Sequence, residues 1–203
     1  MIAAVVLAAG RAVRMGSPKL LARVGGRTLL ERVIVAARAS GCGDVLVVLG
    51  AGADETGRVA AAAGARTVLN PRYVEGMGTS VAVGVAALPA TCEAVVVLLG
   101  DQPFVTPRII DALIDAHRSP GQPLVPSRYG TVRGAPTLIA RSMFEEAKNL
   151  SGDTGGRPLL QRHPDLVAEV DVGVGAAAWD VDTPEDLERA QRLSAGGTPA
   201  ADP

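Results

Sequence analysis

Three continuous apolar runs lie in the first half of the chain, at residues 2–9, 44–50 and 93–100. None of them alternates apolar with polar residues, and such runs are typical of parallel strands that helices cover on both faces. A shorter strand is predicted at residues 66–69. The hydrophobic pattern therefore predicts a sheet that is buried on both sides.

The segments between these strands have the periodicity of amphipathic helices. In residues 28–39, Leu30, Val33 and Ala37 share one face, opposite charged residues. Further helices are predicted at residues 54–63, from about residue 78, and after Thr106, where threonine caps the helix and a proline takes its first position. Because strands and helices alternate, the predicted fold is α/β: a three-layer, doubly wound and mostly parallel sheet.

The pattern is less regular after residue 117. Residues 119–134 are rich in proline and glycine, and they predict a loop with an irregular strand. Helices are predicted at 141–148 and 156–162, a strand at 167–172, and a last helix that begins at Thr183. We expect one domain over residues 1–194, with halves of about 1–117 and 118–194, and a disordered tail at 195–203.

Composition excludes several classes of protein. A hydrophobic fraction of 48% excludes wholesale disorder, and 20 basic against 21 acidic residues differ from the basic surplus of a nucleic-acid-binding domain. Cys42 and Cys92 are too few for a disulfide framework or a zinc ribbon. The first apolar run is too short to span a bilayer, and basic residues follow it, whereas they precede the apolar run of a signal peptide. We therefore expect a cytoplasmic protein that binds neither nucleic acid nor membrane.

Polar and glycine-rich segments follow the predicted strands. In an open parallel sheet, ligands bind beyond the carboxyl ends of the strands. Residues 9–19, 100–103 and 76–80 fall at these ends. The topology therefore predicts a ligand site at this edge of the sheet.

The first of these segments is the loop LAAGRAVRMGSPK at residues 7–19. Its glycines allow close approach of a ligand, and Arg14 and Lys19 supply positive charge for phosphates. The loop is not a kinase-type P-loop, because Gly16 comes one residue late, and it is not a dinucleotide fingerprint, because Ala12 replaces the second glycine. A plain strand-to-helix turn is the alternative, but it does not account for the two cations.

The second segment is LLGDQP at residues 98–103, in which Asp101 follows a buried strand. Mg²⁺ favours one or two carboxylates and takes its other ligands from phosphates and water. Asp101 is therefore the first predicted metal ligand, and a helix or turn cap is the alternative.

A third motif, WDVDTPEDL, occupies residues 179–187. We expect Asp180 and Asp182 to face opposite sides of a predicted strand, with one of them reaching a site and the other not reaching it easily. Thr183 and the acidic residues after it also form a good helix start, so capping alone would explain the string.

Together these motifs resemble the MobA-like family of nucleotidyltransferases, which includes molybdenum cofactor cytidylyltransferase and molybdopterin guanylyltransferase. The first loop is similar to the family signature LAAG-x-x-x-RMG-x-x-K, although relatives often have serine in place of Ala12. The resemblance extends from Leu7 to Leu187, with the motifs in the family's order. It implies a Rossmann-like nucleotidyltransferase fold whose first half binds a nucleotide and whose second half binds the acceptor and completes the metal site.

The resemblance also implies roles for individual residues. The metal ligands for Mg²⁺ would be Asp101 and Asp182, with Asp180 in support. The catalytic residues would be Arg14, Lys19 and Asp101. The nucleotide-binding residues would be Leu7, Ala8, Ala9, Gly10, Arg14, Lys19, Gly78, Thr79, Ser80 and Gly100. The acceptor-binding residues would be Gln102, Arg133, Gly134, Asp153 and Arg157. From the residues alone, positions 78–80 form no more than a helix cap, and Arg133 and Arg157 are equally well explained as solvated surface arginines.

The implied reaction is transfer of an NMP unit to a phosphorylated acceptor. Ala9 and Gln102 are similar to the cytidylyl members, so the resemblance favours CTP, with the phosphate of molybdenum cofactor as acceptor and a molybdenum hydroxylase apo-enzyme as a partner. Three alternatives remain at this stage. They are a transferase for GTP or for a sugar phosphate, a non-catalytic carrier of molybdenum cofactor, and a nicotinamide-dependent oxidoreductase.

Overall fold

The computed structural model describes residues 1–10, 18–118, 121–173 and 175–196. The strands in this part of the chain are β1 (Ile2–Ala8), β2 (Arg23–Val24), β3 (Arg27–Thr28), β4 (Asp44–Leu49), β5 (Arg66–Leu69), β6 (Ala94–Leu99), β7 (Leu124–Tyr129), β8 (Val132–Ala140) and β9 (Val170–Asp171). The α-helices are α1 (Leu29–Arg38), α2 (Ala53–Ala62), α3 (Met77–Ala86), α4 (Pro107–Arg118), α5 (Phe144–Ala147), α6 (Arg157–Arg162) and α7 (Pro184–Ala195).

Seven of the described strands form one sheet in the order β5-β4-β1-β6-β8-β7-β9. The pairs β5/β4, β4/β1, β1/β6 and β7/β9 are parallel, whereas β8 runs antiparallel to both β6 and β7. The strands β2 and β3 form a separate small hairpin. The predicted doubly wound and mostly parallel sheet is confirmed.

Helices cover both faces of this sheet. Alternate residues of β1 explain why: Val6 packs with α1, α2 and α4 on one face, and Val5 packs with α3, α5 and α6 on the other. The helix α1 begins with a capping box, in which the Thr28 hydroxyl accepts a hydrogen bond from the Glu31 amide at 3.1 Å and the Glu31 carboxylate accepts one from the Thr28 amide. The predicted three-layer architecture is therefore also confirmed.

The second half of the sheet is more regular than the sequence predicts. Residues 119–134, expected to form a loop with an irregular strand, contain β7 and the start of β8, which pair as an antiparallel hairpin. The register shifts after Pro126, because proline has no amide hydrogen to donate and so interrupts a ladder. The strand expected at 167–172 is shorter, with β9 covering Val170–Asp171 and an isolated bridge at Val167.

None of the helices in the described residues combines the length and the apolar character that crossing a membrane requires.

The packing of α3 on the sheet generates a testable prediction at Gly84. A Cβ atom at this position would lie 2.6 Å from Cγ1 of Val5 and 3.1 Å from Cγ2 of Val48, both in buried strands. We expect Gly84→Ala to reduce the free energy of unfolding by about 1–3 kcal/mol, although alanine favours a helix more than glycine does. Urea denaturation measures the difference.

Gly57 in α2 is the matched control. A Cβ atom there would meet the end of the Leu49 side chain at 3.2 Å, and a leucine methyl group, which two rotatable bonds move, is easier to displace than a valine methyl group next to the main chain. We expect Gly57→Ala to leave stability unchanged or to raise it by up to about 1 kcal/mol. Equal effects at the two glycines would contradict the packing argument.

Candidate functional site

The carboxyl ends of β1 and β6 lie side by side in the sheet. The Gly100 amide donates to the carbonyl of Leu7 at 3.0 Å, and a Cβ atom at Gly100 would lie 3.1 Å from the same oxygen. Glycine therefore allows the loop after β6 to approach the end of β1 closely. Of the four residues that begin the first loop, Leu7, Ala8 and Ala9 are buried, and Gly10 is exposed. Arg14 lies outside the described residues.

At this edge the ammonium group of Lys19 lies between two carboxylates. Its Nζ is 2.6 Å from Oδ2 of Asp101 and 2.7 Å from Oδ1 of Asp182. Lys19 is largely buried, with 15% of its side chain exposed. Burial by itself lowers the pKa of Lys19, but its ion pairs with Asp101 and Asp182 outweigh that effect and hold the pKa above its usual value. The lysine is therefore a fixed positive charge.

A main-chain hydrogen bond joins the two segments that carry these carboxylates. The Val181 amide donates to the carbonyl of Asp101 at 3.0 Å. This hydrogen bond places the residues on both sides of Val181 next to residues 100–103, the GDQP loop. The helix that follows is anchored by a second capping box, between Thr183 and Asp186. The carboxylate of Asp186 also accepts a hydrogen bond from the Asp182 amide at 3.1 Å. In the WDVDTPEDL motif, the residue that caps the last helix therefore also holds Asp182 in place.

The expected separation of Asp180 from Asp182 is wrong. Side chains two positions apart in an extended segment lie on the same side, and it is Val181 between the two aspartates that is buried in an apolar core. Asp180 accepts a hydrogen bond from Nε2 of Gln102 at 2.9 Å. Burial, together with the negative charges of Asp101 and Asp182, raises the pKa of Asp180 against the opposing effect of the Gln102 hydrogen bond. All three aspartates therefore belong to one electrostatic cluster.

The donor set fits a hard divalent cation. Among the buried side-chain atoms of the described residues, Oδ1 of Asp101 is without a hydrogen-bond partner, as is Oε1 of Gln102. The described residues contain no group of three or more histidine, cysteine, aspartate or glutamate side chains arranged to hold a metal. A site with two carboxylates suits Mg²⁺ or Mn²⁺, which complete their coordination with phosphates and water, and it does not suit a closed zinc site.

A cleft of about 270 Å³ adjoins the aspartate cluster. Its walls include Leu7 from the first loop, Asp180 from the cluster, and four of the five residues expected to bind the acceptor: Arg133, Gly134, Asp153 and Arg157. The guanidinium group of Arg133 is paired with Glu169, whereas the exposed side chain of Arg157 makes no ion pair or hydrogen bond with the described residues. The fifth residue, Gln102, is 5% exposed and is not part of the cleft wall.

The residues at the start of α3 are engaged in internal contacts. The Gly78 amide donates to the carbonyl of Gly152 at 2.7 Å. The hydroxyls of Thr79 and Ser80 are buried, and each accepts a hydrogen bond from Nδ2 of Asn70 at 2.9 Å. The structure thus places these side chains against the end of β5, and their contact with a nucleotide stays a prediction.

Sequence reasoning missed two residues of this region. Asn70 is fully buried and orders the start of α3, and the signal for it was a polar residue directly after a predicted strand. Asp180 was expected, from the family resemblance, only to support Asp182. Its position in the cleft wall comes from the Val181–Asp101 hydrogen bond, which has no local sequence signal.

The cation shared by two carboxylates leads to a prediction for Lys19→Met. Loss of the ammonium group leaves the carboxylates of Asp101 and Asp182 close together. We expect a loss of stability of about 1–3 kcal/mol, below the ~3–5 kcal/mol for a fully buried pair, since the Asp182 side chain is 42% exposed. Added Mn²⁺ should raise the Tm of this variant more than that of the unmodified protein, because the metal ion replaces the missing cation. Thermal denaturation with and without Mn²⁺ measures this.

Lys148→Met is the matched control, because Lys148 pairs with the exposed carboxylate of Glu145 away from the cluster. Its response to Mn²⁺ should equal that of the unmodified protein. The same metal response in both lysine variants would show that Asp101 and Asp182 are not the site of the effect.

The comparisons with known proteins agree with this geometry. The model of the MobA-like NTP transferase domain matches residues 4–167. Nicotine blue oxidoreductase of Paenarthrobacter nicotinovorans is 34% identical over 197 residues, which cover 93% of this chain and 95% of that protein.

Among solved structures, Rv0371c of Mycobacterium tuberculosis H37Rv has a TM-score of 0.82 at 33% identity, covering 94% of this chain and 97% of that one. A second structure of Rv0371c, a complex with manganese, has a TM-score of 0.78 at the same identity and covers 94% and 98% of the two chains. The chain therefore belongs to the MobA-like NTP transferase family and has the nucleotidyltransferase fold.

Proposed function

We propose that the protein transfers CMP from CTP to the phosphate of molybdenum cofactor, which releases pyrophosphate and forms molybdopterin cytosine dinucleotide. The observation that carries the proposal is the position of Lys19 between Asp101 and Asp182, beside a cleft that contains an arginine without an ionic partner among the described residues. Family membership supports the reaction class. The manganese complex of Rv0371c supports a divalent metal.

In the proposed reaction, an oxygen of the acceptor phosphate attacks the α-phosphorus of CTP in line with the leaving group. A new P–O bond forms as the bond to pyrophosphate breaks, and no general base is needed because a phosphate is ionised at neutral pH. Positioning and charge neutralisation then account for most of the catalysis. Lys19 supplies one positive charge beside the triphosphate, and Arg14 is expected to supply another.

Mg²⁺ held by Asp101 and Asp182 would neutralise further charge on the triphosphate. The orphaned Oδ1 of Asp101 supports this role. Lys19 keeps the two carboxylates together until the nucleotide and its metal ion bind.

The choice of substrates rests on two features. Ala9 and Gln102 resemble the cytidylyl members of the family, which favours CTP over GTP. The cleft combines apolar side chains such as Met77 and Leu99 with the guanidinium group of Arg157, and this combination suits a ring system that carries a phosphate. A molybdenum hydroxylase apo-enzyme would receive the product.

The name of one relative supports a second candidate function. Nicotine blue oxidoreductase is similar over nearly its whole length, so an oxidoreductase with a nicotinamide cofactor is the main rival. Against it, the first loop lacks the dinucleotide fingerprint. Titration with NADH and NADPH decides between them, since saturable binding of either would favour the oxidoreductase.

Two further alternatives have direct tests. A transferase for a sugar phosphate would consume CTP or another NTP with that acceptor but not with molybdenum cofactor. A non-catalytic carrier of molybdenum cofactor would still complement a molybdoenzyme after Asp101→Ala, whereas the proposed transferase would not.

The metal site generates a prediction for Asp101→Asn. With CTP, Mg²⁺ and molybdenum cofactor, the unmodified protein should release pyrophosphate and form the cytosine dinucleotide, which mass spectrometry identifies. We expect the variant to lose at least about 100-fold in kcat, because an amide oxygen holds a cation less tightly than a carboxylate. Asp115→Asn, on the exposed side of α4, should retain full activity. A preference for GTP in the same assay would overturn the choice of nucleotide.

The two arginines of the cleft should differ in importance. Arg133 is held by its ion pair with Glu169, so Arg157 is the better placed to bind an acceptor phosphate. We expect Arg157→Gln to raise the KM for molybdenum cofactor by about 10-fold or more, because one charge-assisted hydrogen bond is lost. The KM for CTP should be unchanged. Arg133→Gln should have a smaller effect on the KM for molybdenum cofactor. Steady-state kinetics with each substrate varied in turn tests the order, and an equal or larger effect at Arg133 would contradict it.

A further inference from the structure

Arg32 on α1 contacts segments on two sides of the site without being part of it. Its Nε donates to the carbonyl of Pro103 at 3.0 Å, in the loop that carries Asp101. Its Nη1 donates to the carbonyl of Val24 at 3.3 Å, in the hairpin that follows Lys19. The guanidinium carbon also lies 5.4 Å from the centroid of the Phe104 ring, within the range of a cation–π interaction. One side chain thus connects three backbone or ring partners.

These contacts lie beside a small apolar core that is separate from the cores on the two faces of the sheet. Its buried members are Val24, Leu29, Val181 and Ala190, and Ala22, Phe104 and Leu187 pack against them. Beside this core, Nε2 of Gln191 in α7 donates a hydrogen bond of 3.1 Å to the carbonyl of Arg23 in β2. The core therefore brings together three segments of the chain, because Lys19, Asp101 and Asp182 each lie within a few positions of one of its members.

The contacts of Arg32 use its shape more than its charge. The described residues offer it no ion pair, and its hydrogen bonds go to main-chain carbonyls. A planar guanidinium group donates in two directions and stacks on a ring at the same time, and an ammonium group does not. A lysine at this position would keep the charge and lose the geometry.

We propose that Arg32 is a positioning residue, which holds the GDQP loop and the β2–β3 hairpin at a fixed separation so that Asp101 meets Lys19 and Asp182. The kinetic consequence rests on the proposed nucleotidyl transfer. The geometric claim does not, since it concerns the free protein.

The kinetic test is Arg32→Lys in the full chain. We expect kcat for CTP-dependent pyrophosphate release to fall by about 10- to 100-fold, because displacement of reacting groups by about 1 Å costs up to about 100-fold in rate. The KM for CTP should change by less than about 3-fold, since Arg32 does not touch the cleft. A loss of folding alone would instead lower the active fraction and the Tm together.

Arg38→Lys is the matched control. Arg38 lies on the same helix, and its Nη1 donates to the carbonyl of Gly64 at 2.6 Å, in the turn between α2 and β5. It therefore offers the same substitution and the same kind of contact at a distance from the site. The kcat of the Arg38→Lys variant should equal that of the unmodified protein.

Trp179 provides a second measurement that needs no substrate. It is the single tryptophan of the chain, it directly precedes Asp180, and it lines a pocket together with Phe104 and Val181. If Arg32 positions this region, Arg32→Lys should shift the emission of Trp179 and increase its quenching by acrylamide, and Arg38→Lys should do neither. If Arg32→Lys does not fold, Arg32→Gln, which also loses one of the two donor directions, should cause the same change.

The outcomes separate the two proposals. A change at Trp179 in a protein that does not consume CTP would support the positioning role and defeat the proposed function. An unchanged Trp179 signal would overturn the positioning role, even if kcat falls. A kcat loss of equal size in Arg38→Lys would overturn it as well.

Discussion

The site depends on one electrostatic constraint, which is that the carboxylates of Asp101 and Asp182 both lie within hydrogen-bonding distance of the Lys19 ammonium group. Negative charges so close together in a partly buried place repel each other unless a cation lies between them. Two backbone contacts support this approach. The Gly100 amide fixes the end of β6 on β1, and the Val181 amide fixes the last motif on the GDQP loop.

Much of the fold could be predicted because its signals are local. The buried strands β1, β4 and β6 are continuous apolar runs, and α1 has both an apolar face and a capping box in its sequence. The hairpin of β7 and β8 could not be predicted in the same way. Its first strand contains Pro126 and charged residues, and it is stabilised by pairing with β8, which depends on where the chain lies in space.

In the candidate site too, the features with local sequence signals could be predicted, and those that depend on long-range contacts could not. That the segments of Lys19 and Asp101 lie at one edge follows from the parallel direction of the strands before them, which the sequence pattern predicts. The position of Asp180 depends on the hydrogen bond between Val181 and Asp101, which are far apart in the chain, and no local pattern indicates it. No sequence motif marks the contacts of Arg32, because its hydrogen bonds go to main-chain carbonyls, which every residue has. The roles of the individual residues in binding nucleotide and acceptor stay predictions.

The wide separation of Lys19 and Asp182, 163 residues along the chain, has a consequence for biosynthesis. Polypeptides begin to fold while they are still being made, from the amino end onward. The strands β1, β4 and β6 and the helices that cover them are synthesised long before Asp182, so this part of the sheet can assemble around a single carboxylate. A nascent chain therefore carries Lys19 and Asp101 without Asp182 until that residue has been synthesised, and the paired carboxylates arise only afterwards.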